Sequence, residues 1–268
     1  MNPQPRLWWT FAITSLALFA FALDRLVVAI ALPAIRTDLG AQVSGLEWTV
    51  NAYTLSFAVL LLTGGALGDR FGRRRMFTIG VAVFTAGSAA AALAPTIGAL
   101  VAARAVQGVG GAIFTPLTLT MLSAVTPPGR RGTVLGAWGG IGGLGAALGP
   151  LAGGVLAGSV GWRAIFWLNV PLGLVLMPLA RARLAETYGP RRRLDLAGVA
   201  LGSAGLSGAV WAVIRAGAAG WRCWCCSCAG SCGRRPRCCR CASSAAGCSR
   251  PARWPAWPCT PRCSARCS

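Results

Sequence analysis

Three ionisable residues, Asp24, Arg25 and Arg104, stand inside long apolar runs of a 268-residue chain that contains no His and no Lys. A charge in such surroundings is costly unless it is paired or hydrated, so each is a candidate for function. Asp24 lies about nine residues before the end of its run and Arg104 about six after the start of its own; at ~1.5 Å per residue both sit on the order of 10–14 Å below the same surface. A carboxylate and a guanidinium at similar depth can pair across a central cavity. A carboxylate that alternately takes a proton and pairs with Arg is a proton-coupling element. A static pair that orients two helices is the plainer alternative. Arg25 is expected to snorkel outward.

Two glycine-rich segments complete the set. "GALGDRFGRRR", Gly65–Arg75, joins two apolar runs with almost no loop. Gly72 permits a tight turn. Asp69 is placed to cap the next helix or to pair with a nearby Arg, and Arg73, Arg74 and Arg75 anchor one membrane face. Further on, "GAWGGIGGLGAALGPLAGG" repeats Gly145, Gly149 and Gly153 every fourth residue, on one helix face. Small residues at that spacing admit a second helix closely, and Pro150 is expected to bend the helix. Gly140, Gly142 and Gly145 also satisfy GxGxxG, but no strand precedes them and no acid follows where a dinucleotide fold needs one. Without lysine no GxxxxGK[ST] phosphate loop exists. No enzyme, cofactor or metal site is expected.

The elements that carry these residues are membrane helices. The chain is 55% hydrophobic and only 12% charged, with a mean hydropathy of +0.60, which is high for a soluble domain. The net charge of +20 would suggest nucleic acid. The Arg residues instead cluster in short segments between apolar runs, as membrane proteins place them, so no nucleic-acid partner is expected. Seven runs are long enough to span a bilayer: 10–33, 47–68, 76–94, 98–122, 132–157, 163–183 and 196–216. The first is expected to be retained rather than cleaved as a signal peptide. One side holds Arg6, Arg70, Arg73–Arg75, Arg130, Arg131, Arg181, Arg183 and Arg191–Arg193; the other holds Arg36 and Arg163, with Asp38 and Glu47 against them. That bias places the N-terminus in the cytoplasm of a multi-pass cell-membrane protein.

The Gly65–Arg75 segment resembles the G-x-L-x-D-R-x-G-R-[RK] signature of the major facilitator superfamily, carried here by Gly65, Leu67, Asp69, Arg70, Gly72, Arg73 and Arg74. "ALDRLVVAIALPAI" resembles the helix-one signature of its fourteen-helix drug:proton antiporters. "LVAARAVQGVGGA", with Arg104, Gln107, Gly108 and Gly111, resembles their helix-four motif. "GLGAALGPLAGG" resembles their helix-five antiporter motif, and "WRAIFWLNVPLG" is also typical of them. The resemblance covers roughly residues 10–216. It implies an all-α exporter that exchanges protons for drugs or other small amphipathic molecules across the lipid bilayer. On that model Asp24 and Arg104 couple protons, and Gly65, Asp69, Arg70, Gly72 and Arg73 gate the cytoplasmic side. The helix-five motif, Gly145, Gly149, Pro150, Gly153 and Gly154, supports rocking and limits proton leak. Leu26 and Ala29 depart from the pattern, standing where the family usually has Thr and Asn; Ala66 replaces the Arg often seen before Leu67.

The expected layout is a six-helix N-terminal transporter half over 1–184, a cytoplasmic loop over 185–195, a seventh helix over 196–217 and a Cys/Arg-rich tail over 218–268. Family members have two six-helix halves, so a second half is missing. The chain alone is expected to be truncated and inactive in transport, with the packing face of helix five left open. A seven-helix receptor or sensor is the alternative, although no lysine is present for a retinal Schiff base. All 12 cysteines lie between Cys223 and Cys267. Cys225-x-x-Cys228 and Cys238-x-x-Cys241 suit zinc in their spacing, and an oxidising side would suit disulfides. A shifted reading frame is favoured, since leucine-rich GC-rich codons read one base out of phase give cysteine; such a tail is expected to be disordered.

Overall fold

The computed structural model describes residues 3–189 and, beyond them, only Gly205 and Gly208, both helical. The expected seventh helix and the cysteine-rich tail therefore lie outside the described residues. Six long helices account for nearly all of the described chain: α1 (Pro3–Leu39), α2 (Val43–Phe71), α3 (Arg73–Ala92), α4 (Ile97–Val125), α5 (Arg131–Ser159) and α6 (Arg163–Arg183), with a short 3₁₀ turn, Pro128–Arg130, before α5. Each is long and apolar enough to cross a membrane. Most outrun the spans read from hydropathy because the chain stays helical past its apolar part. α1, at 37 residues, is about 55 Å long, well beyond a hydrocarbon core of about 30 Å. Pro33, Pro116 and Pro150 are carried inside unbroken helices, as neighbouring groups allow in membrane helices.

The helices fall into two triplets, α1–α3 and α4–α6. An odd number of spans per triplet reverses the second relative to the first, the arrangement of inverted repeats. The packing pattern repeats as well. α2 packs mainly on α4 and α5 mainly on α1, so the second helix of each triplet lies along the first helix of the other. α3 and α6 pack together, α3 also against α4 and α6 against α1.

Contacts at the two ends fix the up-down order. At one end the Arg183 guanidinium lies 4.4 Å from the Trp9 ring, joining the end of α6 to the start of α1. At the other, Trp162 Nε1 and Arg163 Nη1 donate to Asp38 Oδ2 at 3.0 and 2.5 Å, and Arg163 also reaches the Ala94 carbonyl. Two apolar clusters fill the interior. One, around Val27, Ile35, Leu100 and Phe166, lies toward the Asp38 end; the other, around Phe21, Phe77, Phe114 and Leu176, lies toward the Trp9 end.

Candidate functional site

Between these clusters runs a layer of buried polar side chains. Asp24 is 0% exposed and Arg104 2%. Arg104 Nη1 donates to Asp24 Oδ2 at 2.6 Å. Asn169 Nδ2, from α6, donates to Asp24 Oδ1 at 2.7 Å, and Gln107 Nε2 lies 3.4 Å from the same oxygen. Gln107 also accepts from Arg104 Nη1 at 2.9 Å and donates to Ser88 Oγ on α3 at 2.6 Å. The Arg104 guanidinium lies 4.1 Å from the centroid of the Tyr53 ring, where the ring face attracts a cation. One carboxylate thus ties α1 to α4 and α6, and through Gln107 to α3. Arg104 Nε, Asn169 Oδ1 and the Tyr53 hydroxyl are buried without a hydrogen-bond partner.

The pair at similar depth is real, but it does not span a cavity. Its groups touch directly and both are buried. Sequence alone does not point to Ser88 or Asn169 as partners. Asn169 carries a usable signal, as the single strongly polar side chain between Ala164 and Ala180, and such residues inside a membrane helix mark function by default. Arg25, one residue from Asp24, lies about 100° further round α1 and is exposed. Its guanidinium lies 6.0 Å from the ring centroids of both Phe21, one turn back on α1, and Phe57 of α2. Leu26 and Ala29 are exposed like Arg25.

The glycine face of α5 is not left open, contrary to the expectation for a lone half. Gly142, Gly145, Gly149 and Gly153 are buried, and α1 covers them. A Cβ on Gly145 would come within 2.8 Å of the Phe19 carbonyl oxygen, and one on Gly149 within 2.8 Å of Leu26 Cβ. The partner is inside the same triplet pair because the reversed repeats cross-pack. Gly154 is exposed, and a Cβ there would meet nothing within 4 Å, so it is no part of that contact. Pro150 is exposed too. Gly64 and Gly68 play the matching role on α2, where added methyls would run into Ala112, Ile113 and Leu117 of α4.

At the α2–α3 junction, Gly72 adopts φ +99°, a conformation that strains other residues. Arg73 donates to Asp69 Oδ1 through Nε at 2.9 Å and Nη2 at 2.8 Å. Asp69 pairs, but it does not cap α3. The first amides of α3 are served by the strand of chain after α6: Arg73 N donates to the Thr187 carbonyl at 2.9 Å and Arg74 N to Glu186 Oε1 at 2.9 Å. Glu186 also pairs with the Arg74 side chain at 3.3 Å, and Gly189 N donates to the Asp69 carbonyl at 3.1 Å. A carboxylate at a helix N-terminus is favoured by the helix dipole. Glu186 lies 112 residues from its partner, a distance at which sequence spacing carries no signal. Gly65 has room for a side chain, a Cβ there coming no closer than 3.9 Å to Pro116, and Arg70 lies exposed over the Phe71 ring.

A family model described as Major Facilitator Superfamily matches residues 14–233. The chain belongs to the major facilitator superfamily. It is accordingly a multi-pass membrane protein of a transporter family and not an enzyme, and the receptor alternative gains nothing from these matches. Curated superfamily relatives include the tetracenomycin C resistance and export protein of Streptomyces glaucescens, 40% identical over 218 residues, covering 81% of this chain and 40% of that one. The puromycin resistance protein pur8 of Streptomyces alboniger is 40% identical over 222 residues, covering 82% and 44%. The chain spans about two fifths of the length of the curated relatives it matches. Among solved structures, a proton:xylose symporter of the superfamily superposes with a TM-score of 0.62 at 17% identity, covering 80% of this chain and 53% of that one. The transporter PepTSo, of the POT family, superposes at 0.62 and 15%, covering 72% and 40%. These two structural likenesses speak for the fold alone.

Proposed function

We propose that residues 1–184 form the first half of a proton-coupled exporter of drugs or other small amphipathic molecules, set in the cell membrane with its N-terminus in the cytoplasm. The observation that carries the reading is the buried Asp24–Arg104 pair inside a fold whose curated relatives are named as export and resistance proteins. With its carboxylate charged, Asp24 accepts from Arg104, Asn169 and Gln107. On taking a proton it becomes neutral and gains a donor. Arg104 then lacks its counter-charge, and the unpartnered Asn169 Oδ1 can turn to accept from the new O–H. The two protonation states favour different placements of α1 against α4 and α6, which is the bistable element that alternating access requires.

The other motifs support that movement. Close contact of the α5 glycines with α1, and of the α2 glycines with α4, lets each pair shift as one body. Asp69, Gly72 and Arg73 hold the cytoplasmic junction, with Gly65 and Arg70 beside them, and act as its gate. A second six-helix half supplies the opposing wall, and residues 185–195 lead as a cytoplasmic loop to a seventh helix at 196–217. Residues 218–268 are read out of frame; resequencing codons 215–225 tests this, because another frame should continue with apolar helices. The transport reading is tested in everted vesicles that hold the chain joined to a second half. Addition of an exported drug should release protons from acidified vesicles, and the Asp24→Asn variant should not. Drug uptake indifferent to the proton gradient would contradict it.

A further inference from the structure

Arg25 lies near the middle of α1, about 20 Å of helix from Leu39. Among the described residues it makes no ion pair and no hydrogen bond. Asp24, Asp38, Asp69 and Glu186 are each paired with another Arg. Glu47 sits in the first turns of α2, about 15 Å along the helix from Phe57. A guanidinium cannot be left facing hydrocarbon at this depth without large cost. Its face must therefore meet water or an anion. The shape around it is specific. Phe57, partly exposed, lies beneath the cation with the buried Phe21 behind it, their centroids 5.0 Å apart, and the exposed Ala29 stands one turn further along α1. Asp24 does not neutralise this face, because it is turned inside and held by Arg104.

Resting on the exporter reading, we propose that Arg25 with Phe57, backed by Phe21, is a substrate subsite, and that it selects amphipathic anions: a flat aromatic body carrying a carboxylate, sulfonate or phenolate. The head group pairs with Arg25 and the ring system lies against Phe57, which the buried Phe21 backs. Lipophilic cations are disfavoured at the same place by the charge of Arg25.

The test uses the full chain in lipid nanodiscs and two fluorescent probes that share one ring system, anionic 1-anilinonaphthalene-8-sulfonate and uncharged N-phenyl-1-naphthylamine. Arg25→Gln should weaken the sulfonate probe about tenfold or more, the equivalent of one charge-assisted contact, and leave the neutral probe unchanged. Arg25→Lys should recover most of the loss, and Phe57→Leu should weaken both probes together. Tetraphenylphosphonium should bind Arg25→Gln better than the parent chain. The proposal is overturned if both naphthalene probes change alike in Arg25→Gln, or if neither changes. It is also overturned if the variant loses association with a second transporter half while still holding the sulfonate, which would assign Arg25 to a carboxylate across that interface. Binding is read without transport, so the two readings separate. A sulfonate held at Arg25 by a protein that pumps nothing, even with its second half, supports the subsite and refutes the exporter. Export that ignores the Arg25→Gln change supports the exporter and overturns the subsite.

Discussion

Two of the four carboxylate–guanidinium pairs among the described residues are of nearly equal length in different surroundings. Asp24 and Arg104 meet at 2.6 Å with 0% and 2% of their side chains exposed; Asp69 and Arg73 meet at 2.8 Å, with Asp69 43% exposed. In the first, neither charge can be left alone, so any change in protonation must be answered by its neighbours. In the second, water answers instead. The same chemistry is therefore coupled to its neighbours in the core and screened by solvent at the α2–α3 junction.

The sharpest way to break this contrast is to remove one charge at each site. Arg104→Gln leaves the Asp24 carboxylate buried without a counter-charge and should destabilise the fold by about 3–5 kcal/mol. Adding Asp24→Asn to it should recover more than half of the loss, since a neutral pair has no charge to bury. Thermal unfolding in detergent of the two single variants and the double variant checks this, and simple additivity would count against a coupled pair. Next in size, Gly145→Val forces side-chain atoms against the Phe19 backbone and should cost about 1–3 kcal/mol as overpacking. Gly154→Val, in the same motif but facing open space, should stay within about 0.5 kcal/mol. Comparable losses at both glycines would refute the assigned face.

Asn169→Leu removes a donor from the charged Asp24 and should cost about 0.6–1.7 kcal/mol. It should also blunt the pH dependence of transport, measured as a pH profile of drug-driven proton release, which a purely structural Asn would not affect. The smallest effects belong to the brace at the α2–α3 junction. Asp69→Ala or Glu186→Ala should each cost about 0–1 kcal/mol, and raised salt should shrink the difference. A loss there as large as that of Arg104→Gln would erase the contrast between the two sites.

What could be read from the sequence follows the same division. The six spans, the alternation of charged ends and the matching depths of Asp24 and Arg104 are local properties, and hydropathy with a rise of about 1.5 Å per residue reaches them. The partners of those residues are tertiary. That α1, rather than a second half, covers the α5 glycines follows from the crossed packing of two triplets, which no motif states. Glu186 caps α3 from far along the chain. Asn169 is visible as a lone polar residue, but only the fold brings α6 against α1. The nearness of Arg25 to Phe57 joins residues of two helices.

The central claim is that Asp24 changes its protonation while embedded in the Arg104–Gln107–Asn169 network. Its most direct measurement is an infrared difference spectrum of the full chain reconstituted in lipid and titrated toward acid. The account predicts a carboxylic-acid carbonyl band that grows on acidification, is absent in Asp24→Asn, and shifts in Asn169→Leu. An identical band in wild type and Asp24→Asn would show that Asp24 does not exchange a proton, and the pair would then be a static brace between helices.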